Sequence, residues 1–338
     1  MASKITNDPR IDPRLKKFSG RSLKSARPGD VASREQLLAE EQTDAAKARI
    51  AMFEAMSAMC DNEQIAPSKG LKITTETFRS EPDGNIIKIQ YIRPDTTERL
   101  PCVYYIHGGG MQFFSCFDGM YKAWGRVIAA QGVAVLMVDF RNAIRPSSAP
   151  EVAPFPAGLN DCVSGVRWVA AHADRLNIDP QRIIVAGESG GGNLTLATGL
   201  KLKRNGDIGV IKGLYALCPY IAGEWPLPQN PSSTENNGIL LDLHNNRGAM
   251  AYGIEAFLRE EPSGLAELRD RRRREGPAAN SDPRERMRSA TRRGHQLLSP
   301  ADQERHPRAL PPSHGHHARH SRSSRSLART SATTRRAT

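Results

Sequence analysis

The chain has 338 residues, of which 38% are hydrophobic, which is enough apolar material for the core of one large α/β domain. It contains no apolar run that could cross a bilayer, no secretory signal and no CxxC spacing among its five cysteines, so a cytoplasmic protein with reduced thiols and no membrane partner is expected. The net charge of +12 is concentrated in residues 261–338, which carry 18 Arg, no Lys and a net charge of +10.

The first predicted element is an amphipathic helix over residues 34–60, with Ser33 as its cap and Glu35 in its first turn. From residue 72 onward, strand-like and helix-like segments alternate. The strands are KITTETFR, IIKIQYIRP, CVYYIHGG, AVLMVDFR, RIIVAGES and IKGLYALCPY, and the helices are YKAWGRVIAAQ, FPAGLNDCVSGVRWVAAHADRL and GNLTLATGLKLKRN. This alternation predicts an α/β fold with a mostly parallel, doubly wound sheet, which binds ligands beyond the carboxyl ends of its strands.

A candidate nucleophile lies in the pentapeptide GESGG, which runs from Gly187 to Gly191 between a β-branched strand and a helix. In this context the pattern G-x-S-x-G predicts a nucleophile elbow with Ser189 at its tip. Gly187 and Gly191 support the motif because larger side chains two residues from the serine would collide with its neighbours. A glycine-rich phosphate loop is the alternative, but neither a Walker lysine nor G-x-G-x-x-G spacing is present.

A second glycine cluster, HGGG at residues 107–110, follows the strand CVYYI. Consecutive glycines allow backbone N–H groups to turn inward, so the amides of Gly108 and Gly109, together with that of Gly190, are predicted to hold a tetrahedral oxyanion. His107 is predicted to orient this loop through a backbone hydrogen bond rather than to act as a general base.

These motifs resemble those of the hormone-sensitive-lipase-like family of α/β-hydrolase esterases. The resemblance rests on YYIHGGGM, on VDFRNA with FPAGLNDC downstream, and on GESGGGN, and it extends over residues 34–257. It implies cofactor-free hydrolysis of carboxylic esters: Ser189 attacks the acyl carbon, and water then releases the acyl group from the enzyme, with a His as base and an Asp orienting that His. Asp139 and Asp161 match family positions that are not triad members, and both are predicted to have structural roles.

The sequence departs from the family after Phe257, because no Asp or His stands in the expected context downstream of Ser189. Residues 261–338 contain no Phe, Trp, Tyr, Ile or Val, a composition typical of a GC-rich gene translated out of frame. When residues 263–318 are back-translated and read one base later, the text contains NECDPLRDEG and GTMHAT, which restore the missing Asp and His. We therefore interpret this region as frameshifted.

Two other interpretations of the C-terminal region remain. An arginine-rich arm could bind nucleic acid, although such arms ordinarily contain Lys as well as Arg. The histidines His314, His316 and His317 could form a metal-binding tract. The frameshift already accounts for the composition on which both depend.

The sequence thus predicts a helical cap (1–65), an α/β-hydrolase core (66–257) that lacks its C-terminal part, and an Arg-rich, disordered, out-of-frame tail (258–338). The expected function is that of a serine carboxylesterase, impaired in this chain because its triad Asp and His are not encoded. The alternatives are a catalytically dead hydrolase-fold binding protein, a lactone or amide hydrolase, and a basic-tail nucleic-acid binder. The expected partner is a small-molecule ester, without cofactor, metal or specific nucleic acid, and a homodimer is expected only with an in-frame C-terminus.

Overall fold

A computed structural model of the chain describes residues 8–14, 16, 29–221, 231–237 and 245–253. The predicted tail over 258–338, with its candidate metal-binding histidines, lies outside these ranges. All five cysteines lie within the described residues, where they are free thiols.

Within the described residues, six strands form one sheet in the order β1-β2-β4-β3-β5-β6. They are β1 (Leu71–Arg79), β2 (Ile86–Pro94), β3 (Leu100–Ile106), β4 (Ala134–Val138), β5 (Ile178–Glu188) and β6 (Gly213–Leu217). The pairings among β4, β3, β5 and β6 are parallel, as the sequence predicts. β2 pairs antiparallel with both β1 and β4. The link between β1 and β2 is too short for a parallel crossover, which explains their antiparallel pairing.

The helices of the described residues are α1 (Arg34–Glu40), α2 (Asp44–Cys60), α3 (Gly119–Ala129), α4 (Ala157–Ala171), α5 (Gly190–Arg204), α6 (Ser232–Glu235) and α7 (Arg247–Tyr252), with a 3₁₀ turn at Ile208–Val210. They cover both faces of the sheet. In β4, Val135 and Met137 share a buried cluster with α3, whereas Leu136 and Val138 belong to the cluster formed with α4 and α5. Alternate residues of a strand point to opposite faces, so this partition confirms the doubly wound arrangement.

The single helix predicted over residues 34–60 is wrong, because the structure contains two helices with a break at residues 41–43. The hydroxyl of Thr43 donates to the carbonyl of Glu40 at 2.7 Å and accepts from the amide of Ala46 at 3.3 Å. It therefore ends one helix and caps the next. Ser33 caps α1 as predicted, accepting a hydrogen bond from the amide of Gln36.

The segment before β1 is tied to the core at two places. Asn246, next to α7, exchanges two side-chain hydrogen bonds with the backbone of Val31, at 2.8 and 2.7 Å, as a neighbouring strand would. On α3, the buried guanidinium of Arg126 donates to the carbonyl of Ala66 at 2.7 Å and pairs with Asp61. Arg34 of α1 also donates to the carbonyl of Ala143 after β4, and Phe53 of α2 stacks on Phe114 after β3, so both helices contact loops at the carboxyl ends of these strands.

Candidate active site

Ser189 occupies the sharp turn between β5 and α5. Its backbone has φ 54° and ψ −116°, a strained conformation for a residue other than glycine. The turn is held in place because the amide of Ser189 donates to the carbonyl of Leu217 at 3.0 Å, and its own carbonyl accepts from the amide of Tyr220 at 2.9 Å. Both partners lie at or just after the end of β6. The serine is therefore fixed between two strand ends with its side chain half-buried.

Glycine is sterically required on both sides of this turn. A Cβ at Gly187 would lie 2.5 Å from the carbonyl oxygen of Ile106, and one at Gly191 would lie 2.0 Å from the same oxygen. Both distances are too short for a real contact, and the atom approached belongs to the backbone. The two glycines thus allow the elbow to pack directly against the end of β3.

The glycine loop that follows β3 contacts the start of α5. A Cβ at Gly190 would lie 2.7 Å from the backbone nitrogens of Gly110 and Met111. Gly109 and Gly110 have φ angles of +91° and +61°. Gly190 is the first residue of α5, where amides have no partner within the helix. Within the described ranges, the amides of Gly109, Gly110 and Gly190 make no hydrogen bond, so three donors are available beside the elbow.

Gly108 is not one of these donors, which contradicts its predicted role in the oxyanion hole. Its amide donates to Glu188 Oε1 at 2.8 Å and lies 3.0 Å from the hydroxyl oxygen of Tyr121. An amide already bonded to a carboxylate is not free to bind a developing oxyanion. The amide of Gly110, the third glycine of HGGG, is not among the donors predicted from the sequence. The run of three glycines nevertheless indicates that this amide can also turn inward.

His107 lies beneath the loop and is fully buried. Its Nδ1 is 3.0 Å from the carbonyl oxygen of Gly108, and its ring stacks on Phe140 with the centroids 4.3 Å apart. Because a carbonyl only accepts, Nδ1 carries the proton in this contact. Burial lowers the pKa of His107, which keeps the imidazole neutral. This is the loop-orienting hydrogen bond that the sequence predicts.

Two buried aspartates hold loops together. Asp139 accepts hydrogen bonds from the hydroxyl of Ser115 at 2.6 Å and from the amide of Ser148 at 2.6 Å. Asp161 pairs with the buried guanidinium of Arg141 at 2.8 Å and accepts from the hydroxyl of Ser80 at 2.6 Å. Both carboxylates are fully buried and occupied, as expected for structural residues.

Comparison with known proteins identifies the family. The family model described as an alpha/beta hydrolase fold matches residues 103–269. Esterase Est22 is 65% identical in sequence to this chain, and its structure matches with a TM-score of 0.73. The match covers 78% of this chain and 76% of Est22. Brefeldin A esterase, a bacterial homologue of human hormone sensitive lipase, is 32% identical with a TM-score of 0.63, and the match covers 78% and 73% of the two chains. This chain belongs to the hormone-sensitive-lipase-like family of α/β-hydrolase esterases.

Two further proteins of related sequence match a shorter part of this chain. Tuliposide A-converting enzyme 2 of Tulipa gesneriana is 30% identical over 140 residues, which are 39% of this chain and 34% of the tulip protein. Carboxylesterase NlhH of Mycobacterium tuberculosis is 39% identical over 105 residues, which are 31% of this chain and 30% of that enzyme. The chain thus matches about a third of the length of these curated relatives.

The resemblance stated above implies a His and an Asp in addition to the serine. The described part of the chain contains two histidines, His107 and His172, and no hydrogen bond joins either of them to Ser189. His172 lies at the end of α4, where its Nδ1 is 2.8 Å from the carbonyl oxygen of Trp168. No described residue forms a hydrogen bond with Ser189 Oγ.

Across the described ranges, no group of three or more His, Cys, Asp or Glu is arranged to hold a metal ion. No described helix is both long and apolar enough to cross a membrane.

Proposed function

We propose that this protein is a serine carboxylesterase that acts through an acyl-enzyme on Ser189. The observation that carries the proposal is the strained backbone of Ser189, which is held at the elbow directly beside the unpaired amides of Gly110 and Gly190. A reactive hydroxyl next to preorganised donors is the arrangement that acyl transfer requires.

In the proposed reaction, Ser189 Oγ forms a bond to the acyl carbon of the ester and its proton passes to a histidine base. The carbonyl oxygen becomes an oxyanion, which the amides of Gly109, Gly110 and Gly190 stabilise. When the tetrahedral intermediate collapses, the alcohol leaves with the proton from the base. Water then attacks the acyl-enzyme by the same steps in reverse order and releases the carboxylic acid.

The proposal includes an impairment of the chain as given. The two described histidines are engaged elsewhere, and the remaining histidines stand outside the sequence context that the family uses for its base. Without a base, the Ser189 hydroxyl keeps its ordinary reactivity, and the oxyanion amides alone supply about 10³–10⁴-fold acceleration over water.

Fluorophosphonate labelling followed by mass spectrometry tests the nucleophile. A chain whose C-terminal reading frame has been restored should be labelled at Ser189 and should lose the label in Ser189→Ala, whereas the chain as given should be labelled much more slowly. Ser115→Ala is the matched control, because the Ser115 hydroxyl also lies in this region but donates to the carboxylate of Asp139. Label retained in Ser189→Ala would refute the assignment.

The second candidate is a catalytically dead hydrolase-fold binding protein, which the absence of any described partner for Ser189 Oγ favours. The two candidates differ in the behaviour of the frame-restored chain. It should hydrolyse p-nitrophenyl acetate if the protein is an esterase. If that chain folds and hydrolyses neither p-nitrophenyl acetate nor lactones and amides, the binding-protein interpretation is favoured. Assays with lactones and amides as substrates address the remaining hydrolase alternatives.

A further inference from the structure

The carboxylate of Glu188 joins the elbow to the glycine loop. Glu188 is the residue immediately before Ser189, and its Oε1 accepts from the amide of Gly108 at 2.8 Å and from the hydroxyl of Tyr121 at 2.6 Å. Its Oε2 accepts from the hydroxyl of Tyr105 at 2.5 Å. One half-buried side chain thus connects β3, the glycine loop, α3 and the end of β5.

The three donors make this a strong and directional connection. Hydrogen bonds to an ionised acceptor are shorter and roughly twice as strong as neutral ones. The two tyrosines are buried on the α3 face of the sheet, where their hydroxyls have few alternatives to the carboxylate. Burial and the neighbouring charge of Glu188 raise the pKa of both tyrosines, so they remain donors.

The connection has a geometric consequence for the proposed reaction. Gly108 is one residue before the first candidate donor, Gly109, and Glu188 is one residue before the nucleophile. The hydrogen bond between Gly108 and Glu188 therefore fixes the donor loop relative to the serine, because only one peptide bond separates Gly108 from Gly109 and only one separates Glu188 from Ser189. Preorganised donors stabilise an oxyanion only when they stand at the correct distance before the reaction begins.

We propose that Glu188, held by Tyr105 and Tyr121, is a positioning residue that sets the distance between the oxyanion amides and Ser189. This proposal rests on the proposed function, since it assumes that Ser189 is the nucleophile. Glu188 touches no reacting atom in this role. It acts through the amide of Gly108 and hence through the loop.

Phenylboronic acid provides a test that does not depend on a catalytic base. Its boron accepts a bond from Ser189 Oγ, the hydroxyl proton passes to solvent, and the resulting tetrahedral boronate resembles the intermediate of acyl transfer. Binding can be measured by titration calorimetry and the tetrahedral boron by ¹¹B NMR, using the full chain as given. The wild-type chain should form the adduct, and Ser189→Ala should not.

Variants of Glu188 and its partners then isolate the positioning role. Glu188→Ala should raise the dissociation constant of the boronate by about 10–100-fold, since misplacement by about 1 Å costs on the order of 10²-fold in comparable sites. Glu188→Gln should restore most of the affinity, because its carbonyl oxygen can still accept from Gly108 and Tyr121. Tyr121→Phe and Tyr105→Phe should each weaken binding by an intermediate factor, and Tyr121→Phe decides the test if Glu188→Ala does not fold.

Tyr91→Phe is the matched control. Tyr91 is a buried tyrosine of β2 whose hydroxyl donates to the carbonyl of Leu176 at 2.5 Å, remote from the elbow. It should lower the melting temperature about as much as Tyr121→Phe but leave boronate binding unchanged. Equal loss of affinity in both variants would show a general loosening and overturn the proposal.

The remaining outcomes separate the proposal from the proposed function. If Ser189→Ala abolishes the adduct and Glu188→Ala binds as tightly as wild type, Ser189 keeps its assignment and the role of Glu188 is refuted. If Ser189→Ala binds as tightly as wild type, the nucleophile assignment fails and the positioning role fails with it.

Discussion

Replacing Gly109 by alanine tests whether the glycine loop depends on the absence of a side chain. Gly109 has φ +91°, and a Cβ there would lie 2.1 Å from the carbonyl oxygen of Phe113 and 2.8 Å from Cδ2 of Phe114. An alanine at this position is therefore destabilising for two reasons: its φ is positive, and its Cβ collides with the backbone. Gly132 is a matched control, because its φ is +87° but nothing lies within 4 Å of a Cβ at that position.

The two variants should therefore differ by the cost of the collision alone. A left-handed conformation costs an alanine roughly 1–2 kcal/mol, which applies to both positions. Overpacking against neighbours that must shift adds about 1–3 kcal/mol at Gly109. We expect Gly109→Ala to lower the free energy of unfolding by about 2–5 kcal/mol and Gly132→Ala by about 1–2 kcal/mol.

Urea denaturation followed by circular dichroism measures both free energies, and phenylboronic acid titration measures the effect on the site. Gly109→Ala should also weaken boronate binding, since relief of the collision moves the loop that carries the donors, whereas Gly132→Ala should bind like wild type. Equal destabilisation by the two variants, or unchanged boronate affinity in Gly109→Ala, would refute this reasoning.

Three further predictions concern the core, the activity and the gene. Asp161→Ala should lower the free energy of unfolding by about 3–5 kcal/mol in urea denaturation, because it leaves the buried guanidinium of Arg141 without its buried partner. Asp83→Ala is the control. It removes a half-exposed partner of the same guanidinium and should lower the free energy of unfolding by only about 0–1 kcal/mol. The chain as given should hydrolyse p-nitrophenyl acetate poorly in a spectrophotometric assay, and robust turnover that disappears in Ser189→Ala would contradict the proposed impairment. Resequencing the gene should show a missing or extra base near the codons of residues 257–261, and a clean read in the present frame through residue 318 would rule this out.

The local parts of the site could be predicted from sequence because their causes are local. The conformation of Ser189 follows from a β-branched strand, two flanking glycines and a following helix, all within a few residues. The hydrogen bond of His107 could be predicted for the same reason, since it is made to the next residue. Motif and flanking elements agree at both positions, so little outside the segment can change the outcome.

The error at Gly108 has a cause that is not local. Whether its amide is free depends on Glu188 and Tyr121, which reach it from β5 and α3, and no spacing rule relates these three positions. The break between α1 and α2 was missed because apolar residues recur at helical spacing on both sides of it, although residues 40–44 themselves are all polar. Thr43 is the visible signal there, since a threonine followed by an aspartate favours a helix start.

The pH dependence of stability tests whether His107 is neutral in the folded protein. Burial lowers its folded-state pKa, whereas the unfolded chain has a histidine pKa of about 6.5. Below about pH 6.5 the unfolded chain binds a proton that the folded chain does not. The free energy of unfolding should therefore fall by up to about 1.4 kcal/mol for each unit by which the pH is lowered. His107→Asn keeps an N–H donor for the carbonyl of Gly108 and cannot titrate. At pH 8 the His107→Asn variant should have a lower free energy of unfolding than the wild type. Between pH 7 and pH 5, however, its free energy of unfolding should fall by less than that of the wild type. Parallel curves for the two proteins would show that His107 is protonated in both states, and a charged imidazole beneath the loop would then have to be included in the electrostatics of the oxyanion site.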